Sequence, residues 1–366
     1  MILKYGRELE NAAEDLRVQY AQYRSDLQIQ RGLIDNKYDF SCLAEVLANL
    51  PELQSITVNP GVFFFPHDNP HKLKSPFDHL FNACSQNAGK GLIHHVVAMF
   101  SALRCAVAKI EVLRLGPVDW GVLDLIVGVH STPPEALSSL RHLELVLTIP
   151  LGDRNPCQAL ACREMMRSGA LREFLRSLPQ LEVLNVDFSS IGHRRQFAAS
   201  VDDIIPADHT WDHLYSLALR NVEEGEQGFL SVMKRHKRTL REVCLSNVRL
   251  ATTCLPVLLD QIRDTMNLDY SCICGLIIGP PDAHGKKEWV LMRSELSGDW
   301  HRVINYCCCG SGSPKDSVCP LKEDWTLNWT GEDKIDYGEI YQYEARFRQA
   351  KPFPGCFWAM KEKEED

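Results

Sequence analysis

The feature that most constrains this chain is a short pattern, apolar-x-x-apolar-x-apolar, that recurs along most of its length. The last two apolar positions of each copy are separated by one residue, which is the spacing of a strand with one buried face. We expect the first apolar position to anchor the turn that leads into the strand. The copies are Leu53-Ile56-Val58, Ile110-Leu113-Leu115, Leu140-Leu143-Leu145, Leu181-Leu184-Val186, Leu214-Leu217-Leu219, Leu240-Val243-Leu245 and Ile273-Leu276-Ile278.

Helical patterns lie between these strands, with apolar residues at the i, i+3, i+4 and i+7 positions that share one helix face. Each helix can cover the strand of its own unit, but a single unit cannot bury its apolar face without neighbours. One strand and one helix per unit is the plan of leucine-rich-repeat proteins. The helical apolar residues are Leu43, Val46, Leu47 and Leu50, then Leu171, Phe174, Leu175 and Leu178, then Phe229, Val232 and Met233, then Leu255, Leu258, Leu259 and Ile262.

The spacing of the copies is uneven. They begin at residues 53, 110, 140, 181, 214, 240 and 273, and most of these intervals exceed those of regular leucine-rich repeats. We therefore predict an α/β fold that is an irregular leucine-rich-repeat solenoid, a curved parallel sheet with helices on its convex side. The longest interval contains GVFFFPHDNPHKLKSP, which predicts an inserted surface loop near residues 60–76. Asn221 and Asn247 lie one place earlier than the Asn or Cys of a regular repeat.

Several of these runs resemble the repeat region of fungal F-box-type leucine-rich-repeat proteins: NLPELQSITV, RSLPQLEVLNV, and WDHLYSLALRNV followed by FLSVMKRHKRTLREVCLSNVRL. The resemblance covers about residues 40–280 and is strongest from Trp211 to Leu250. It implies a protein that docks on the Skp1-type adaptor of a ubiquitin ligase through an F-box, while its repeats hold a substrate. The nearest match to the Leu-Pro opening of an F-box is Leu50-Pro51, inside the first repeat. We therefore expect any F-box to lie upstream.

The two ends differ from the repeat region at 40–280. Residues 1–39 predict a helix that caps the solenoid, with a self-associating coiled coil as the alternative. Residues 281–366 are rich in Trp and Cys and end in the acidic run KEKEED. This composition predicts a C-terminal capping module, with a partner-binding tail as the alternative. The heptad-like positions of the N-terminal segment are Leu9, Ala13, Leu16, Tyr20, Tyr23, Leu27 and Ile34.

The composition bounds the choice of partners. Lys and Arg number 40 against 48 Asp and Glu, and this net charge of −8 argues against a nucleic-acid binder. No apolar run is long enough to cross a membrane, and the N-terminus lacks the pattern of a secretory signal. The 14 cysteines are scattered through apolar segments. We therefore expect mostly free thiols in the cytoplasm or nucleus.

No motif in the sequence indicates catalysis, and we expect neither enzymatic activity nor a bound cofactor or metal. The run from Gly279 to Lys287 departs from a phosphate-binding P-loop in its spacing and contains two prolines. Cys307, Cys308, Cys309 and Cys319 lack the paired spacing of a zinc site, so a zinc- or thiol-dependent protein is a lesser alternative. A basic cluster falls at the end of a predicted helix, where cations interact favourably with the last carbonyl groups. A local patch for nucleic acid or an acidic partner is the alternative. The cluster is Lys234, Arg235, His236, Lys237, Arg238 and Arg241.

The predicted function is protein–protein recognition through the polar positions between the strand leucines. These positions project from the concave side of the predicted solenoid, and their mixture of both charges suits a protein ligand. The chain is expected to be a monomer and to form the substrate-binding part of an F-box-like ubiquitin-ligase receptor. A stand-alone interaction scaffold is the alternative. The candidate contact residues are Arg114, His142, Glu144, Asn185, Asp187, Ser216, Arg220, Glu242 and Ser246.

Overall fold

A computed structural model describes residues 2–58, 88–123, 134–148, 156–189, 197–283, 285 and 287–291. The predicted insertion near 60–76 and nearly all of the predicted C-terminal module at 281–366 lie outside the described residues. The prediction of a C-terminal cap, and the candidate zinc ligands at 307–319, therefore stay predictions.

The core of the fold is one eight-stranded sheet in which the strands follow one another in chain order. Strands β1 to β7 are parallel, and β8 pairs antiparallel with β7. Among the described strands, β1 pairs only with β2 and β8 only with β7, so the sheet is not closed into a barrel. The strands are β1 (Ser55–Val58), β2 (Val112–Asp119), β3 (His142–Thr148), β4 (Val183–Ser189), β5 (Ser216–Arg220), β6 (Glu242–Arg249), β7 (Tyr270–Ile278) and β8 (Glu288–Leu291).

Two of the described helices precede β1, and the others lie between strands in the sequence. They are α1 (Ile2–Asp35), α2 (Tyr38–Asn49), α3 (Ala88–Leu103), α4 (Pro156–Arg167), α5 (Ala170–Arg176), α6 (Val201–Ile204), α7 (Gly228–Arg235) and α8 (Leu255–Thr265). A 3₁₀ helix at Glu135–Leu137 precedes β3. The helical stretches predicted around Leu47, Leu171, Phe229 and Leu258 fall in α2, α5, α7 and α8 and are confirmed.

One continuous apolar core joins the helices to one face of the sheet. The strand residues Leu143, Leu184 and Leu217 are in register on neighbouring strands and are at most 1% exposed. Apolar residues of α2 to α8, such as Phe229 and Leu258, belong to the same cluster. Successive side chains of a strand point to opposite faces, so the residues between these leucines lie on the other side of the sheet.

Each of the seven predicted strand regions contains a strand, but the predicted phase of the last copy is wrong. Leu245 pairs with Ile273, so Ile273 occupies the last position of its unit and not the first. The corresponding first position is Leu268, which is buried. The middle position is Ser271, which is 1% exposed. Because this buried residue is a serine, the apolar pattern of the sequence does not mark the position.

The early asparagines of the sequence have a structural reason. Asn221, Asn247 and Gly275 occupy equivalent places after the buried strand positions, with φ angles of 57°, 50° and 76°. Asn and Gly tolerate this left-handed conformation better than other residues. The side chain of Asn221 donates to Asp187 Oδ1 at 3.0 Å, and the Leu276 amide donates to Asn247 Oδ1 at 2.8 Å. Both asparagines therefore join neighbouring units.

The segment with the strongest family resemblance contains a buried contact between Trp211 and His236. The two rings stack with centroids 5.7 Å apart. The Trp211 amide donates to His236 Nε2 at 3.2 Å, and His236 Nδ1 lies 2.8 Å from the Val232 carbonyl oxygen. Burial lowers the pKa of His236, which keeps the ring neutral. The histidine therefore fixes the chain that leads into β5.

The arginines of the basic cluster donate to carbonyl groups that lie outside helix α7. The guanidinium group of Arg235 donates to the carbonyl oxygens of Pro206 and Ala207 and lies 2.8 Å from Gln227 Oε1. Arg241 donates to the carbonyl oxygen of Leu240 at 2.9 Å. The Arg235 contacts tie the segment before β5 to helix α7.

Helix α1 is the element predicted to cap the solenoid. It packs against α2 and makes no comparable contact with β1. No described α1 side chain belongs to the core, and Leu16, Tyr20 and Tyr23 are 70%, 61% and 54% exposed. Leu16, Tyr20 and Tyr23 thus face away from the core, and the capping role of this helix stays a prediction.

The core makes a direct prediction about stability. Leu184→Ala should lower the free energy of unfolding by about 3 kcal/mol, because it removes a fully buried side chain and leaves a cavity. Leu160→Ala in α4 is the matched control, since Leu160 is 60% exposed. Its effect should be below about 0.5 kcal/mol. Urea denaturation followed by circular dichroism measures both, and equal losses would contradict the assignment of this core.

Candidate functional site

The candidate site is the side of the sheet opposite the leucines, which we call the polar face. Strand register arranges its residues in three rows that cross the sheet. The first row is Ser55, Val112, His142, Val183, Ser216, Glu242 and Tyr270; the second is Thr57, Arg114, Glu144, Asn185, Ala218, Cys244 and Cys272; the third is Val146, Asp187, Arg220, Ser246 and Cys274. All nine residues predicted as contacts lie in these rows.

The centre of the polar face is a chain of polar contacts through Glu144. Arg114 Nε lies 3.4 Å from Glu144 Oε2, and Asn185 Nδ2 donates to Glu144 Oε1 at 3.1 Å. The Glu144 carboxyl group therefore has a partner on each neighbouring strand. Asn185 Oδ1 is buried and has no hydrogen-bond partner among the described residues. Because an unpaired buried acceptor costs about 1–3 kcal/mol, this oxygen is a place where a donor would be favourable.

Burial shifts the pKa values of two residues on β3, Glu144 and His142, in opposite directions. It raises the pKa of Glu144 to about 8, although Arg114, Arg220 and the hydrogen bond from Asn185 oppose the rise. Burial and the nearby charge of Arg114 lower the pKa of His142 to about 4. Both side chains are therefore mostly uncharged at neutral pH, and Arg114 carries the charge at this place.

The remaining predicted residues lie towards β5 and β6. Asp187 is in register with Arg220, and its Oδ1 accepts the hydrogen bond from Asn221. Burial raises the pKa of Glu242, which is opposed by a hydrogen bond between Glu242 and Ser216. The site thus contains acceptors and donors of both charges within a few strands.

Exposure divides the polar face into two groups of residues. Glu144, Asn185, Asp187, Ser216 and Ser246 are between 1% and 7% exposed. The half-buried residues are His142, Arg220, Glu242 and Arg114, whose side chain is 22% exposed. The second group is therefore the more accessible one, and the first group lies beneath it. The sequence pattern places all nine residues on one face but does not predict this difference in exposure, because burial depends on neighbouring strands.

A cluster of thiols completes the polar face on β6 and β7, and sequence reasoning missed it. Cys244 is the register partner of Cys272, whose Sγ lies 3.8 Å from that of Cys274. Hydrogen bonds with the other two thiols, together with burial, raise the pKa of Cys272. Within the described ranges, no group of three or more metal-ligating side chains is arranged to hold a metal ion. Only the strand register brings Cys244 to this pair.

A cleft of about 520 Å³ on the helix side of the sheet is a weaker candidate. It lies between α7 and α8, and its lining includes Lys234 and Gln261. Its buried carboxylate, Glu224, already accepts hydrogen bonds from the amides of Phe229, Ala251 and Thr252. This carboxylate therefore stabilises the surrounding loops and has no evident capacity for a ligand.

Comparison of the chain with protein-family models, with curated proteins and with solved structures finds no match. The class of protein is therefore defined by its own architecture: a mixed α/β protein with an open, mostly parallel sheet and one polar face. Among the described helices, none combines the length and apolar character needed to cross a membrane.

The raised pKa of Glu144 predicts a pH dependence of stability. The folded carboxyl group keeps its proton up to about pH 8, whereas the unfolded group releases it near pH 4.5. The free energy of unfolding should therefore fall by about 2 kcal/mol between pH 6.5 and 8.5, and Glu144→Gln should remove this loss. Below pH 6.5 the lowered pKa of His142 contributes the opposite slope.

Urea denaturation at several pH values measures this dependence. Glu182→Gln is the control, because Glu182 is a carboxylate whose side chain is 40% exposed. The control should keep the slope of the wild-type chain. A wild-type slope retained in Glu144→Gln would show that another group is responsible.

Proposed function

We propose that this chain is a protein-recognition module that binds its ligand through the polar face of an irregular leucine-rich-repeat solenoid. The observation that carries the proposal is the strand register, which collects all nine predicted contact residues in three adjacent rows. The consecutive strand order and the placement of the helices on one side of the sheet support a repeat architecture.

The chemistry of the face favours a protein ligand over a small molecule. Half-buried side chains of both charges are spread along the sheet, and buried neighbours hold them in place. Arg114 is held by Glu144, which is itself held by Asn185. Such pre-positioned Arg side chains are frequent anchors in protein interfaces.

The family resemblance extends this proposal to a ubiquitin-ligase receptor. In that role the polar face would hold a substrate, and a Skp1-type adaptor would bind an F-box. The support for this extension is the sequence similarity around Trp211 to Leu250. A stand-alone scaffold with the same polar face is the alternative, and it would bind a partner without an adaptor.

Photo-crosslinking tests which surface binds a partner. A p-benzoylphenylalanine at the position of His142 or Glu242 should give one discrete crosslinked product in cells that express the chain. The same group at the position of Val257, which is 42% exposed on α8, should not give that product. Crosslinks from Val257 alone would place recognition on the helix side and contradict the proposal.

The partner identified in this way allows a quantitative prediction. Arg114→Ala should raise its dissociation constant about tenfold or more, because Arg114 is a positioned and partly exposed anchor. Lys234→Ala, at an exposed residue of α7, should leave the constant within about twofold. Isothermal titration calorimetry measures both, and an unchanged constant in Arg114→Ala would remove this residue from the interface.

The ligase extension has its own test. A purified Skp1-type adaptor should bind the full gene product in a pull-down if the chain belongs to a ligase receptor. Deletion of the F-box segment should abolish that binding and leave the partner of the polar face bound. A gene product without an F-box that fails to bind the adaptor would favour the stand-alone scaffold.

A further inference from the structure

We infer that helix α1 is an interaction surface for a second copy of this chain, with the two α1 helices forming a parallel coiled coil. The sequence pattern gives the geometry. Steps of four and three residues along α1 place Tyr20 and Leu27 at heptad position a, and Leu16 and Tyr23 at position d. These positions form a continuous seam on one side of the helix, which we call the α1 seam.

Within the part of the chain that the structure describes, no element covers most of the α1 seam. Leu16, Tyr20 and Tyr23 are more than half exposed, and Leu27 is half-buried. The rings of Tyr20 and Tyr23 lie 6.5 Å apart and stack at an interplanar angle of 29°, so they form one apolar surface. Neighbouring α2 is the element against which α1 packs. Leu16, Tyr20 and Tyr23 are therefore exposed to solvent, although the heptad pattern predicts that they lie in an interface.

The length of α1 fits this role. The helix has 34 residues, which corresponds to about 50 Å at the usual rise per residue. Among the described elements it packs chiefly against α2, and it contributes no described residue to the core. A helix that only connected or capped the sheet would not need several successive heptads of seam residues.

The flanking charges favour a second copy in parallel orientation. Asp26 is at heptad position g and Arg31 at position e, so a parallel pair brings Asp26 of one copy next to Arg31 of the other, twice. In an antiparallel pair, e positions face each other and Arg17 would approach Arg24 of the second copy. The same chain therefore supplies the complementary partner. The inferred oligomeric state is thus a dimer, whereas the sequence analysis expects a monomer.

The mass of the full chain in solution tests the proposal. Sedimentation equilibrium up to about 100 µM should show dimers for the wild-type chain. Leu16→Glu and Tyr23→Glu should each raise the dimer dissociation constant at least about tenfold, because each places a charge in the seam. Val18→Glu and Ile29→Glu are matched controls on the same helix, since both residues are more than 60% exposed but lie outside the seam.

A charge exchange tests the orientation. Asp26→Arg and Arg31→Asp should each weaken the dimer, and an equal mixture of the two variants should associate as tightly as the wild-type chain. Circular dichroism shows that each variant keeps its helix. A wild-type monomer at all concentrations, including one whose seam binds a different protein, would overturn the proposal. So would a dimer that Leu16→Glu leaves intact, controls that dissociate equally, or a mixture that does not recover.

Discussion

The fold depends on the burial of one apolar residue row that crosses the sheet from strand to strand. Leu143, Leu184 and Leu217 stand side by side with almost no contact with water, and each is covered by helices that follow or precede its strand. Because successive side chains of a strand point to opposite faces of the sheet, the residues between these leucines lie on the polar face. Apolar burial on one side therefore determines the composition of the other side, including the rows of charged and hydroxyl groups.

The polar face also shows how a sheet can accommodate a buried ionisable group. Glu144 is nearly inaccessible, yet its neighbours Arg114 and Asn185 satisfy both carboxyl oxygens, and its raised pKa keeps it largely uncharged. The arrangement gives Arg114 a fixed position at the surface of the site. Side chains of two neighbouring strands thereby give Arg114 a defined geometry.

Much of this architecture was predictable from the sequence, because strand alternation and helical spacing depend on neighbours in the chain. The seven parallel strand regions and the residues of the polar face follow from that local pattern. The thiol cluster did not follow, since Cys244 meets Cys272 only through the pairing of two strands. The apolar pattern of β7 was assigned to the wrong residues because Ser271 occupies a core position that is apolar in the other strands. The position of α1 depends on contacts that periodicity does not specify.

The consecutive order of the strands has a consequence for how the molecule opens. Each unit touches chiefly the unit before and after it, so the units need not separate together. Strand β1 has four residues and one partner strand, and its apolar residues Ile56 and Val58 are only half-buried. This end can fray while the central strands stay closed, so local opening there requires much less free energy than global unfolding.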